Sequence, residues 1–250
     1  MISKLLSRSV HGLLVVGAIL CLTGCATGPQ KNPADPLEPL NRSVFRFNDA
    51  LDENVLKPVA TGYRDYTPSL VQTGVRNVFH NFADVSAVLN NGLQLKGRQA
   101  ASSLMRVVVN TTVGVYGLFD VATAIKLERY PEDFGQTLGY WGVSSGPYLV
   151  LPLLGPSTVR DTAGIPVDWQ VDPVSNARIA SFGPETQILR IVDRRTSFLA
   201  AGNMLNEASI DKYAFLRDAY LQRRRSQIFD GNPPEEDLPD QSQAPSQSSK

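Results

Sequence analysis

Beyond Cys25 this chain has no cysteine, and its only histidine after His11 is His80. The other thiol, Cys21, lies upstream of Cys25, so the body of the protein cannot be held by a disulfide even in an oxidising compartment. Metal chemistry fails on the same inventory. One histidine leaves only carboxylates, and Glu128, Glu132 and Asp133 do not follow the spacing of a calcium loop, so no metal or cofactor is expected. There is also no large charge imbalance: 24 basic residues face 24 acidic ones, which argues against nucleic acid as a partner. Long hydrophobic runs are missing as well. The longest, Leu13 to Leu22, falls far short of the roughly 20 residues that span a bilayer as a helix. Finally, period-2 alternation appears almost nowhere, no hairpin dipeptide separates strand-like runs, and no internal repeat is visible.

What is present begins with that apolar run. Lys4 and Arg8 precede it, and Leu22-Thr23-Gly24-Cys25 closes it. A positive start, a short greasy stretch and small residues before a cut site make a bacterial export signal. The Leu-x-Gly-Cys ending predicts cleavage after residue 24 and acylation of Cys25 as the mature N-terminus. Ala26, where an aspartate would favour the inner membrane, points to the outer membrane. Two or three acyl chains make a lasting anchor. Residues 25–34 then read as a lipidated tether and 35–229 as the folded body. From Asp230 onward the chain is rich in Pro, Gln, Ser and acid, and reads as a disordered acidic tail, 230–250.

The body has mostly helical apolar spacing. One series runs Leu40, Val44, Phe47, Leu51, Val55, with Pro58 expected to end it; a second runs from Val75 to Leu93, with Gly97 as its stop. A third helix is expected around Gln99 to Val109. A long one carries Ile188 to Leu205 after a Pro184-Glu185 start, and the last runs from Asp211 to Ile228. Its Arg223-Arg224-Arg225 run reads as a solvated helix end, with contact to anionic head groups as the alternative. Residues 131–184 are dense in Gly and Pro and contain Tyr148-Leu149-Val150-Leu151-Pro152-Leu153-Leu154, either a buried extended segment or an apolar surface that meets lipid. The fold class is therefore all-α with a Gly/Pro-rich middle.

Gly142-Val143-Ser144-Ser145-Gly146 matches the G-x-S-x-G string of esterases. That chemistry needs a histidine to accept the serine proton, and a strand–turn–helix to expose the serine. His80 lies upstream on an expected helix and no βα alternation surrounds Ser144, so the string reads as a loop. No enzymatic activity is expected.

Four blocks in order carry a family resemblance. They are Asp35-Pro36-Leu37-Glu38-Pro39-Leu40-Asn41-Arg42 with Val44 to Asn48; Asn110-Thr111-Thr112-Val113-Gly114-Val115-Tyr116-Gly117-Leu118-Phe119-Asp120; Glu132-Asp133-Phe134-Gly135-Gln136-Thr137-Leu138-Gly139-Tyr140-Trp141-Gly142 continuing to Arg160-Asp161; and Asp211-Lys212-Tyr213 with Arg217 to Tyr220. Together they resemble the MlaA/VacJ lipoprotein family. The resemblance implies a single ring-like helical domain on the periplasm-facing inner leaflet of the outer membrane, its Gly/Pro-rich middle lining a channel. It implies a trimeric porin and a soluble periplasmic lipid carrier as partners, and phospholipid as the substrate, taken from the outer leaflet. The residues it points to for channel lining or head-group contact are Phe134, Gly135, Gly142, Gly146, Arg160 and Asp161. For Arg160 and Asp161 a salt bridge, or a helix cap at Ser157, is an equal reading. A structural lipoprotein that organises a porin without moving lipid remains the alternative function.

Overall fold

The computed structural model describes residues 35–176 and 182–234, so the signal, Cys25, the tether and most of the acidic tail lie outside the described residues. Helix dominates. In chain order the elements are α1 (Glu38–Leu51), a π-helical turn (Asp52–Leu56), α2 (Lys57–Tyr66), α3 (Ser69–Leu93), α4 (Gly97–Thr112), α5 (Val121–Ala124), α6 (Phe134–Tyr140), β1 (Tyr148–Leu151), β2 (Gly155–Thr158), α7 (Val159–Val171), α8 (Pro184–Ser197), α9 (Leu199–Ala208) and α10 (Lys212–Ile228). Among the described residues, no helix is long and apolar enough to cross a membrane.

Three helix boundaries depart from the sequence reading. Pro58 does not stop the first helix. A proline ring clashes with the carbonyl four residues back and lacks an N–H, and here the turn just before it is widened to π geometry, with Lys57 N donating to Asp52 O. The chain therefore stays helical through Pro58 into α2. Gly97 starts α4 rather than ending α3; the reversal is made by Leu95, which takes φ 57°. The expected long helix from Ile188 to Leu205 is two, α8 and α9, broken at Phe198 (φ −104°, ψ 4°).

The Gly/Pro-rich middle forms a two-stranded antiparallel hairpin, with Tyr148 opposite Thr158 and Leu151 opposite Gly155. An isolated hairpin is marginal and its free edge needs a partner. Helix α1 supplies one. Asn41 Nδ2 donates to Tyr148 O at 2.9 Å and its Oδ1 accepts from Val150 N at 2.9 Å. One heptad on, Asn48 Nδ2 donates to Leu151 O and its Oδ1 accepts from Leu153 N, each at 2.9 Å. Two amides on one helix face thus act as a surrogate third strand. Tyr148 and Val150 are buried against Tyr213 of α10, as a buried extended segment, while Leu153 and Leu154 at the hairpin tip are exposed.

Polarity is inverted across the described residues. Leu40, Phe47 and Leu51 of α1 and Val55 of the π-helical turn point outward, with Phe47 56 % exposed, while Val44 of the same series packs partly buried against the Tyr148–Tyr213 cluster and Asn41 is buried. Among the described residues, 35 large hydrophobic side chains are exposed; the buried set holds 20 polar or charged residues and only 10 hydrophobic ones. Ordinary interiors are the reverse. The α3–α4 hairpin shows how the polar interior is held. Arg106, 1 % exposed, donates through Nε to Asp84 Oδ2 at 3.1 Å, through Nη2 to Asp120, and through Nη1 to Thr123 Oγ1 and Leu127 O. Arg129 adds a second bond to Asp84 at 2.6 Å, and Asn81 Nδ2 reaches Thr111 Oγ1 at 3.0 Å. Buried charge is tolerable only when paired and hydrogen-bonded in this way.

Candidate functional site

The residues singled out from the sequence converge where α6, β2, α7 and α10 meet. Helix α6 starts at the N-cap Asp133, whose side chain accepts from Gln136 N at 2.9 Å. Helix α7 starts at Thr158, whose hydroxyl accepts from Asp161 N at 3.2 Å, so the cap is Thr158 and not Ser157. The two helices approach so closely that a Cβ on Gly164 would lie 2.8 Å from the Gly135 nitrogen. Gly135 serves a second purpose: a Cβ there would meet Arg224 Nη2 at 2.5 Å and Asp161 Oδ1 at 2.7 Å. Its missing side chain makes room for an ion cluster.

Asp161 is the centre of that cluster. Its carboxylate accepts from Arg160 Nη2 at 2.8 Å, Tyr220 Oη at 2.8 Å and Arg224 Nε at 3.0 Å. Arg224 in turn grips Asp133 with a two-pronged contact at 2.6 and 2.5 Å. Burial alone would raise the Asp161 carboxyl, but Arg224, Tyr220 and Arg160 hold it below the ordinary carboxylate range. The Arg223–Arg225 run is thus not simply a solvated helix end, because its middle member is 8 % exposed and paired twice.

Asp168, further along the same helix α7, accepts from Phe134 N at 2.9 Å. Burial pushes its carboxyl up from 3.8 to about 6, with the Asp133 charge adding to the rise and the Phe134 bond opposing it. The folded state therefore favours the protonated form, and stability is lost as pH rises from about 4 through about 6. Asp168→Asn keeps an acceptor for Phe134. It is expected to stabilise the protein by about 1–2 kcal/mol at pH 8 and hardly at all at pH 4. Urea midpoints of the two proteins in detergent at both pH values check this; equal gains at the two would refute it.

Beside the cluster opens a cavity of about 570 Å³, walled by Gly142, Ser144, Arg160, Arg224, Arg225 and the apolar Leu221, Ile228 and Phe229 among others. Of the six residues named for channel or head-group contact, Gly142 and Arg160 lie on this wall. Gly142 has φ +88°, a left-handed turn that a side chain would strain. Asp161 turns instead to the ion cluster, Gly135 to the helix crossing, and Gly146 (φ +65°) packs toward Val159. Phe134 stacks edge-on against Trp141 with ring centres 6.1 Å apart. Sequence reasoning missed Arg224 as a buried ion-pair partner, although its place in the last turns of a helix bearing Tyr213 and Tyr220 on one face was the signal. Ser144 shares the cavity wall, which carries three guanidinium groups and, among the described residues, neither a histidine nor a carboxylate to accept its proton. Among the described residues there is also no cluster of potential metal ligands.

Comparison with known proteins decides the lineage. The model of the MlaA lipoprotein family matches residues 33–227. The chain belongs to the MlaA lipoprotein family. It is 35% identical over 223 residues to the "Intermembrane phospholipid transport system lipoprotein MlaA" of Escherichia coli K12, covering 84% of this chain and 85% of that one. The protein of that name from Haemophilus influenzae is 30% identical over 239 residues, covering 88% of this chain and 92% of the relative. An uncharacterised Rickettsia bellii protein is 34% identical over 195 residues, 78% of this chain and 76% of its own. A solved structure described as the "Structural basis for maintenance of bacterial outer membrane lipid asymmetry" superposes with a TM-score of 0.69 at 34% identity, covering 79% of this chain and 99% of that one. MlaA family membership and the outer-membrane lipid-asymmetry neighbour establish a lipoprotein that associates with the outer membrane. The helix-dominated architecture agrees with the all-α expectation, the two-stranded hairpin being its exception among the described residues.

Proposed function

We propose that this protein is the lipoprotein component of an intermembrane phospholipid transport system, acting in maintenance of outer-membrane lipid asymmetry. It takes mislocalised phospholipid from the outer leaflet and passes it to a soluble periplasmic carrier, from a seat in the inner leaflet beside a trimeric porin and anchored by acylated Cys25. The single observation that carries this is the inverted distribution of polarity: 35 exposed large hydrophobics around a polar interior, among the described residues. An apolar exterior of this extent suits hydrocarbon rather than water.

The chemistry follows from the cavity beside α10. A phospholipid changes leaflet by dragging a charged head group through oil, and an unpaired ion there costs many kcal/mol. A polar-walled opening with apolar neighbours lowers that barrier without any bond being made or broken. Arg160 and Gly142 stand on the wall: Asp161 holds Nε and Nη2 of Arg160, leaving Nη1, whose bond to Val143 O is a long 3.4 Å, for the phosphate, and Gly142 gives a turn free of side chain. Asp161 and Arg224 hold Arg160 in place. The relatives named as phospholipid transport lipoproteins support the same reading.

Arg160→Gln separates this from a porin organiser that moves no lipid. In cells the variant is expected to remain folded and porin-bound, yet to accumulate phospholipid on the cell surface, measured by outer-leaflet acylation of lipid A. Undisturbed asymmetry in those cells would refute a role for Arg160 in the passage.

A further inference from the structure

A second cavity, of about 600 Å³, opens on the other side of α10, between α8, α9 and the start of α10. Its wall is Phe198, Ala201, Met204, Leu205, Phe215 and Leu216, with Arg195, Gly202 and Ser209. The two polar side chains on this wall are already engaged inside the protein. Arg195 forms a two-pronged pair with Asp52 at 2.6 and 2.8 Å, and Ser209 Oγ donates to Leu205 O at 2.7 Å. Beyond Arg195 Nη1 the described wall offers little to bond, so an occupant with a head group, a sugar or an open peptide backbone would lose more hydrogen bonds to water than it gained. Hydrocarbon loses nothing, and an apolar cavity of this size is a binding site for it. Among the described residues, Phe198, Met204 and Phe215 of the wall are all exposed, so apolar side chains run from the cavity out to the surface, as the chain of a lipid lying around the protein requires.

We propose that this cavity holds one acyl chain of a membrane phospholipid, a reading that rests on the protein lying among lipids as proposed above. The acyl site and the arginine-walled cavity lie on separate walls of α10, so the tail is gripped apart from the passage for the head. The cavity keeps room because Gly202 stands on its wall. A Cβ there would touch only the Arg195 guanidinium, at an ordinary 3.5 Å, so larger side chains enter the space without disturbing the backbone.

The test uses the full acylated chain in phosphatidylethanolamine–phosphatidylglycerol vesicles containing a phospholipid with a diazirine at mid-chain. Crosslinks are mapped after irradiation. Leu205 and Leu216, half-buried on the wall, are expected to be labelled, and Gly202→Leu is expected to lower that labelling at least about fivefold by filling the space. Gly202→Ala, which keeps the native contacts, should give a smaller loss. Labelling of Leu70, 85 % exposed on α3, should be the same in all three proteins. Equal labelling of Leu205 in wild type and Gly202→Leu overturns the proposal, as does labelling of the cavity by a head-group diazirine. Labelling seen only in a chain without acylated Cys25 also overturns it, because the protein's own anchor then fills the space. If Leu70 itself goes unlabelled in the wild type, the protein does not lie in lipid, and the transport reading fails along with this one.

Discussion

Arg106→Leu is expected to lower folding stability by about 3–5 kcal/mol, the cost of breaking a buried ion pair by removing one partner. Arg106 donates to both carboxylates of its site, Asp84 and Asp120, and also to Leu127 O and Thr123 Oγ1. Once it is gone, Asp84 keeps only Arg129, and Asp120 keeps Asn110 and its own helix-cap bonds to Thr123. The Asp120 carboxyl is held at about 2 by Thr123, Asn110 and Arg106 against the opposing pull of burial, so it remains charged after the change and sits beside a new apolar side chain. Since native domains stand only about 5–15 kcal/mol above unfolding, the loss is a large share of the total. Urea unfolding in detergent followed by circular dichroism measures it. A cost below about 1 kcal/mol would mean the network is not holding α3 to α4. Arg106→Lys should fall between, keeping the charge but not the fork that reaches four partners.

The second large effect concerns Asp161. In Asp161→Ala the guanidinium of Arg160 loses both its bonds to the carboxylate, and Arg224 is left with Asp133 alone. The expected cost is about 3 kcal/mol. It should come with loss of lipid asymmetry even at temperatures where the variant is folded, because Arg160 is then held on the cavity wall only by its 3.4 Å bond to Val143 O. Asp161→Asn retains an acceptor for Arg224 and should recover part of the stability but little of the function. An Asp161→Ala protein that is as stable as wild type would contradict the central place given to this carboxylate. One that is less stable but fully active would detach the cluster from lipid passage.

Which residues share a helix face was legible in the sequence; which face points inward was not. The Leu40–Val44–Phe47–Leu51–Val55 series has the same period whether it meets a core or a membrane, since periodicity fixes only the angle between side chains, and the structure packs Val44 inward while the other four are exposed. What was available to read was the complementary stripe: Asn41 and Asn48, seven residues apart, on the face that the structure buries. The hairpin escaped notice because its reversal uses Leu153 at φ 66° and Gly155 at φ 82° in place of a turn dipeptide, and because its edge is closed by side-chain amides from a helix. Pro58 misled for a different reason: a widened turn absorbs the clash that ends ordinary helices. For the site, the adjacency of Arg160 and Asp161 did announce their salt bridge. The roles of Gly135 and Gly164 depend on a helix crossing that no local pattern encodes.

An interior furnished with amides and ion pairs has a thermal consequence. The heat-capacity change of unfolding comes mostly from newly wetted hydrocarbon, with polar groups subtracting from it. This molecule shows much of its hydrocarbon while still folded. Taken out of lipid, it should therefore unfold with a heat-capacity increment below the usual 12–15 cal/mol/K per residue, and its stability should change almost linearly with temperature instead of passing through a pronounced maximum.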